Sequence, residues 1–322
     1  MTMGDKLKIF LFGLILFFFF GITYAQNIDS LSFFEPSSVY NQKRCIAVSS
    51  LQVVGYGSSL VFLSKAWYSN YNHSPFHFFN DGGEWMQVDK AGHLISAWYL
   101  SKIGINMFSW SGLSDNRSIV LGSMSGFLFL TGVEVLDGYS NGWGFSVADF
   151  TANTIGTGIM LGQSAIMKTH NASAFMNGIA HSSLKFSFHK TPFPVLRSRL
   201  LGTSLPEQVL KDYNGQTYWL SLNLSSFAKD ENIIPPWLNI AFGYGAEGML
   251  GAREGFVLAD NGDMLVQDRY RQYYFSLDID LTRIKTKSYF LKALTKAFSF
   301  IKIPSPAIEF SKKGVKICPV YF

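Results

Sequence analysis

Acidic residues and a histidine stand inside otherwise apolar, glycine-rich segments of this chain. They run Asp89-Lys90-Ala91-Gly92-His93, then Glu134 and Asp137, then Asp149 and Asn153. Charge in such surroundings costs free energy unless it is paired, so its presence needs a reason. A carboxylate beside an imidazole raises the histidine pKa and selects its tautomer, while burial works in the opposite direction. His93 is thus a candidate proton carrier, with Glu134 as its base or orienting partner. Asp149 completes the candidate catalytic set, and Asp89, Lys90, Asp137 and Asn153 form a supporting polar cluster. Carboxylates and one histidine could also hold a divalent metal. The residues name neither that metal nor a cofactor. A structural role competes with the chemical one. Asp89 and Asp149 sit where N-caps or first-turn acids complement a helix dipole, and Lys90 can neutralise one acid.

The elements that must position these residues are apolar stretches of helical length: Cys45–Lys65, Ala91–Ser109, Arg117–Leu136 and Ser146–Met167. All are diluted by Gly, Ser and Thr. Gly122 and Gly126 in the third, and Gly156, Gly158 and Gly162 in the fourth, are spaced as in helices that approach closely in a membrane. Glycine in a compact soluble bundle is the other reading. Asp89, His93 and Ser96 share a helical face, as do Asp149, Asn153 and Gly156, and Glu134 with Asp137. If the helices run up and down, the second begins where the third ends and the fourth starts. His93, Glu134, Asp137 and Asp149 then gather at one end.

After residue 170 the period changes to two. In Thr217–Ser225 and Tyr270–Leu281 apolar and polar residues alternate, which marks strands with one apolar face. Asp260-Asn261-Gly262-Asp263 signals a hairpin turn. Ser288–Ile301 reads as an amphipathic helix with its lysines on one side. The expected fold class is α+β: a glycine-rich, four-helix, membrane-associated bundle over residues 26–170, followed by an antiparallel β-sheet half over 171–322. A partial barrel with apolar residues outward is the alternative for that second half. Pro319 speaks for an edge strand instead.

Charged residues make up 15% of the 322-residue chain and aromatics 16%. A soluble domain carries about 25% charged residues, so the composition points to a membrane-associated protein. The net charge of +5 is spread out. No basic block suggests nucleic acid, and a basic surface facing anionic lipid is preferred. Lys6, Lys8 and the apolar stretch Ile9–Gly21 before Thr23-Tyr24-Ala25 read as a signal peptide over 1–25, with an uncleaved anchor as the competitor. Cys45 and Cys318 could pair in an oxidising envelope or stay free. Asn171-Ala172-Ser173 matches a glycosylation triplet that carries little weight here.

The ordered residues Asp89-Lys90-Ala91-Gly92-His93, Gly132-Val133-Glu134, Asp137-Gly138-Tyr139-Ser140 and Gly144-Phe145-Ser146-Val147-Ala148-Asp149, with Asn153 and Gly156, resemble the YfiM-like family of predicted periplasmic lipoproteins. The stretch from Leu210 to Ser221 resembles the longer members found in Bacteroidetes-type bacteria. The order Asp-Lys-x-x-His, Glu, Asp-x-x-x-Asn-x-x-Gly is more distantly similar to VanZ-like membrane proteins. The resemblance implies an exported envelope protein, at the outer membrane or at the inner membrane facing the periplasm. A lipobox cysteine is not seen, against the lipoprotein description. Membrane lipid and other envelope proteins are the expected partners. Two functions fit: a structural or lipid- and partner-binding role, or a membrane-bound enzyme acting on a lipid-linked or phosphorylated substrate through the His/Glu/Asp cluster.

Overall fold

The four apolar segments of the first half wind into α1 (Gln42–Tyr68), α2 (Val88–Trp110), α3 (Asp115–Asp137) and α4 (Val147–Met167). The computed structural model describes residues 33–68, 72–228 and 234–322. The expected signal peptide at 1–25 lies outside the described residues. Two compact units are present, one within Met1–Gly82 and Ser96–Leu161, the other within Gly83–Ile95 and Gly162–Phe322.

In the first unit, α2 and α3 meet glycine to glycine. A Cβ added at Gly122 would lie 2.2 Å from the backbone nitrogen of Ile105, and one at Gly104 would lie 2.4 Å from the carbonyl oxygen of Gly122. Ser125 Oγ donates to the Gly122 carbonyl at 2.8 Å, satisfying a group that close packing would otherwise hide from water. Cys45, Val48, Phe108 and Leu113 form the core beside this crossing. The α2 helix stops at Ser111-Gly112, where Gly112 takes φ +74 and the Val39 carbonyl passes 1.9 Å from where a Cβ would be. Only glycine fits that left-handed position. The fourth-helix glycines differ from the sequence expectation: Gly158 and Gly162 have nothing within 4 Å of a Cβ among the described residues. Among the described residues two helices, over Gln42–Ser64 and Asp115–Asp137, are long and apolar enough to cross a membrane.

The second unit is built on a six-stranded sheet in the order β10-β9-β8-β5-β4-β3. Its strands are β3 (Ser183–Phe188), β4 (Gln216–Asn223), β5 (Leu238–Glu247), β8 (Tyr270–Ile279), β9 (Ser305–Ser311) and β10 (Gly314–Tyr321). All neighbours are antiparallel, and β5 faces β8 without a break from Leu238↔Ile279 to Glu247↔Tyr270. The hairpin of β6 (Phe256–Leu258) and β7 (Met264–Val266) turns through Gly262 at φ +92.

Alternation in this sheet is inverted relative to a water-soluble one. Thr217, Trp219, Ser221 and Asn223 are buried, as are Gln272, Tyr274, Ser276 and Asp278. Leu220, Phe242, Tyr273, Phe275 and Leu277 are exposed. Several of the buried polar side chains satisfy one another. Lys185 Nζ lies 2.6 Å from Asp278, Ser221 Oγ donates to the same carboxylate at 2.6 Å, and Asn239 Nδ2 donates to Ser221 Oγ at 2.8 Å. Trp219 Nε1 donates to Ser187 Oγ at 2.9 Å. Inward polar groups are tolerable when paired in this way.

The α+β content matches the expected class, but its arrangement does not. Helices and strands interleave along the chain, so this is not a discrete four-helix bundle followed by a separate β-sheet half. The parallel pair β1 (Phe78–Phe79) and β2 (Phe145–Ser146) sits among the long helices. The short helices α5 (Ala174–Ala180), α6 (Ser198–Leu201), α7 (Leu205–Lys211), α8 (Leu224–Phe227) and α9 (Tyr289–Ala297) sit between strands. Four-residue helices such as α6 and α8 leave no readable period, which is why they escape the pattern. Among the described residues no closed barrel forms either: β3 and β10 end the sheet, and Phe186 on the β3 edge is covered by the chain at Phe300 and Lys302. Pro319 lies in the edge strand β10, where the register shifts between Cys318 and Tyr321. Cys45 and Cys318 are both free and buried. Ser173 of the glycosylation triplet caps α5, accepting from the Met176 amide at 3.2 Å.

Candidate functional site

The first turns of α2 carry Asp89 and His93, and the chain enters them by an uncommon route. Trp85, Met86 and Gln87 take φ of +47, +51 and +64, a left-handed turn without glycine. Such a turn costs about 1–3 kcal/mol per residue and persists only when its surroundings over-determine it. They do so here. The Trp85 amide donates to the Ala252 carbonyl at 2.8 Å, Tyr244 Oη donates to the Met86 carbonyl, and Arg271 Nη2 donates to Gln87 Oε1 at 2.5 Å. Trp85 also packs on Tyr213 with ring centroids 5.0 Å apart.

From this fixed entry Asp89 is held on three sides. Tyr213 Oη donates to its Oδ1 at 2.7 Å, Lys90 Nζ donates to its Oδ2 at 2.9 Å, and His93 Nε2 stands 3.9 Å from Oδ1 one helical turn on. The His93 side chain is 20% exposed, so the imidazole is oriented yet reachable. Gly92 is needed between them. Its missing Cβ leaves room for Tyr218 Oη, which would otherwise be 2.6 Å away. Burial, and after it the nearby Asp89 carboxylate, pushes the Tyr218 hydroxyl pKa up, so it remains a neutral donor, bonded to Gln216 Oε1 at 2.8 Å. Gly92→Ala is therefore expected to cost about 1–3 kcal/mol, the range for overpacking. Adding Tyr218→Phe should recover part of that loss in a thermal melt, because it deletes the clashing oxygen. No recovery would show the tyrosine hydroxyl is not the obstacle.

The other acids belong to the first unit. Glu134, Asp149 and Asn153 are buried, at 1%, 5% and 0% exposure. Ser146 joins Glu134, Asp81 and the start of α4. Its amide donates to Glu134 Oε2 at 3.4 Å, its Oγ donates to Asp81 Oδ1 at 2.5 Å, and the same Oγ accepts from the Asp149 amide at 3.0 Å. The last of these is an N-cap on α4, with Asp149 in its first turn, where an acid complements the helix dipole. Asp137 ends α3 and its carbonyl accepts from the Ser140 amide at 2.9 Å. The sequence-expected residues thus divide: Asp89, Lys90 and His93 in the second unit, Glu134, Asp137, Asp149 and Asn153 in the first. Sequence reasoning missed Tyr213, Asp81 and Ser146. Tyr213 lies within the Leu210–Ser221 stretch, the one available signal for it.

Against this geometry the comparison with protein families is informative. Residues 77–164 match the model of a family described as predicted periplasmic lipoprotein (DUF2279). The matched segment holds every expected site residue from Asp89 to Asn153, covers less than half of the chain and stops short of Leu210–Ser221. It supports an exported, periplasmic or membrane-associated location, without distinguishing outer from inner membrane. Neither the curated proteins nor the solved structures yield a match.

Proposed function

We propose that this chain is a membrane-bound envelope enzyme that acts on a lipid-linked or phosphorylated substrate through His93, with Glu134 and Asp149 as its acidic partners. The observation that carries the reading is the Asp89–His93 pair: a carboxylate fixed by Tyr213 and Lys90, one turn from a partly exposed imidazole. A carboxylate so placed stabilises the imidazolium formed when His93 takes a proton, and it orients the ring for that transfer. The same donor set, an imidazole nitrogen with carboxylate oxygens, suits a divalent cation, which would offset the charge of a phosphorylated substrate. Glu134 and Asp149 enter from their order in the sequence and from their burial. The outer membrane is the compartment we favour, because the exposed face of the sheet is apolar and its buried face polar, as lipid-facing strands are. Lipid and other envelope proteins are the partners of this reading.

His93→Ala should leave the chain folded, with a stability loss of about 1 kcal/mol, the centre of the range for single substitutions. It should lower function in cells lacking the native chain by about 10²–10⁴-fold, the usual contribution of a positioned proton carrier. A folded His93→Ala chain that functions normally would sink the enzymatic reading. One observation favours a structural role for part of the set. The Ser146 network ties Asp81, Glu134 and the start of α4 together with no exposed acid. On that reading Glu134→Gln and His93→Ala would both lower the yield of folded protein.

A further inference from the structure

The helix α9 has a composition that its packing does not explain. Phe290, Leu291, Leu294 and Phe298 recur with helical period and form one face. They are exposed at 50%, 45%, 40% and 50%, and the helix has no buried residue. Lys292 and Lys296, four apart, occupy the opposite side. Nine-residue helices are marginal in water, because helical stability in proteins comes mostly from burying an apolar face. A Ser288 cap, accepting from the Leu291 amide at 3.3 Å, supplies only part of what is needed.

Charge around the helix is one-sided. Arg283, Lys285, Lys287, Lys292, Lys296 and Lys302 fall between Leu281 and Ile308, and that span contains no Asp or Glu. Three of the six have partners: Arg283 pairs with Asp280 at 3.7 Å, Lys302 is buried against Asp278, and Lys292 Nζ lies over the Tyr289 ring, 5.2 Å from its centroid. Lys285 and Lys287 precede the helix, and Lys292 and Lys296 lie on the side opposite its apolar face. A helix with one apolar face and lysines on the other side fits a surface that is itself apolar below and anionic above. An acidic protein groove would share these features; the run of Lys285, Lys287, Lys292 and Lys296 with no acid from Leu281 to Ile308 favours a uniformly anionic surface over one mixed with cations.

We infer that α9 is an interfacial anchor, lying in the plane of an anionic phospholipid bilayer with Leu291, Leu294 and Phe298 among the acyl chains and Lys285, Lys287, Lys292 and Lys296 at the headgroups. This is the geometry of amphipathic helices that bind membrane surfaces. Each lysine near an anionic surface contributes about 1 kcal/mol. Removing Lys292 and Lys296 therefore weakens docking of the helix about thirtyfold. The inference does not depend on His93, so either reading can fail alone.

The test uses the full chain with Leu294→Cys in a Cys45→Ser, Cys318→Ser background, labelled with an environment-sensitive fluorophore. A parallel Phe298→Cys chain guards against local misfolding at one position. Each is mixed with vesicles of phosphatidylcholine alone or of phosphatidylcholine with phosphatidylglycerol, and flotation reports association of the whole protein. The expected result is a blue-shifted emission, quenched by nitroxide lipid, in the anionic vesicles only, and its loss on Lys292→Gln with Lys296→Gln or at high salt. Water-like emission from protein that floats with the vesicles overturns the inference, as does failure to float. A blue shift without lipid means another part of the protein covers the face and also overturns it. An equal shift in both vesicle types overturns the anionic assignment.

Discussion

Asp278→Asn is expected to cost about 3–5 kcal/mol of unfolding free energy, the range for removing one partner of a buried ion pair. Asp278 is fully buried in β8 and faces two lysines, Lys185 at 2.6 Å and Lys302 at 4.0 Å, themselves 3% and 0% exposed. Removing its charge leaves two ammonium groups to a single neutral amide. Lys302 keeps four neutral acceptors, Ser276 Oγ, the Leu277 and Ile303 carbonyls and Ser305 Oγ, at 2.7–3.1 Å. Those bonds offset part of its desolvation but none of the net charge. Burial already pushes the Lys302 pKa down to about 8 from 10.5, with Asp278 the main influence holding it up. Between those values the unfolded chain binds a proton that the folded one has released, so the Lys302 contribution to stability rises with pH across the window. Without Asp278 the folded pKa drops further and the window opens below 8. The Asp278→Asn deficit should then shrink as pH is raised towards about 8 and level off above it, where both chains gain in parallel, in denaturant titrations of parent and variant side by side. A pH-independent deficit below about 1 kcal/mol would mean that water reaches these lysines and the interior is not dry.

That buried triad was not legible in the sequence, and the reason is distance. Lys185 and Asp278 are separated by most of the second unit's chain, and nothing local marks either as internal. The alternation in β4 and β8 was legible, because a period of two is a property of neighbouring residues. Which side of it faces inward was not, since that depends on where the other strands lie. A sheet packed on helices puts the apolar side in and a partial barrel puts it out; Trp219 with Ser221 and Asn223 on the buried side gives the second orientation, without barrel closure among the described residues. The long helices were legible for the same local reason: an expected Ala91–Ser109 is found at Val88–Trp110. Their grouping into one bundle ahead of a sheet was not, because the first turns of α2 cluster with the sheet rather than with the other helices. At the candidate site, the i, i+4 spacing of Asp89 and His93 was enough to pair them. The left-handed turn that delivers them could not be foreseen, because Trp85, Met86 and Gln87 are residue types that avoid positive φ. Tyr213 reaches Asp89 from more than a hundred residues away.

Glycine spacing shows the same division, and it carries the second large expected effect. Gly122 and Gly158 look equivalent in sequence, each in a small-residue run of an apolar helix. In the structure a Cβ at Gly122 meets the Ile105 amide nitrogen at 2.2 Å and the Gly104 carbonyl carbon at 2.4 Å, whereas one at Gly158 meets nothing within 4 Å. The atoms in the way at Gly122 are backbone, so no rotamer change relieves the contact and the helices must part. Parting them exposes Ser101, whose Oγ donates to the Ser123 carbonyl at 3.3 Å across the same crossing, and loosens the Phe108 core beside it. Gly122→Ala should therefore destabilise by about 3 kcal/mol, at the upper end for overpacking, and Gly122→Leu should prevent folding of the first unit. Gly158→Ala should stabilise by about 0.5–1 kcal/mol, the helical gain of alanine over glycine. The effects have opposite signs, so unfolding midpoints in one detergent decide the matter without any absolute scale. Gly104→Ala supplies the closing step. It strains the same contact from the α2 side, so its loss combined with that of Gly122→Ala should fall short of the sum, since helices already forced apart have less to lose. If the two losses add, the glycines act separately and the crossing is not what holds α2 to α3; if Gly122→Ala behaves like Gly158→Ala, the helices do not touch there at all.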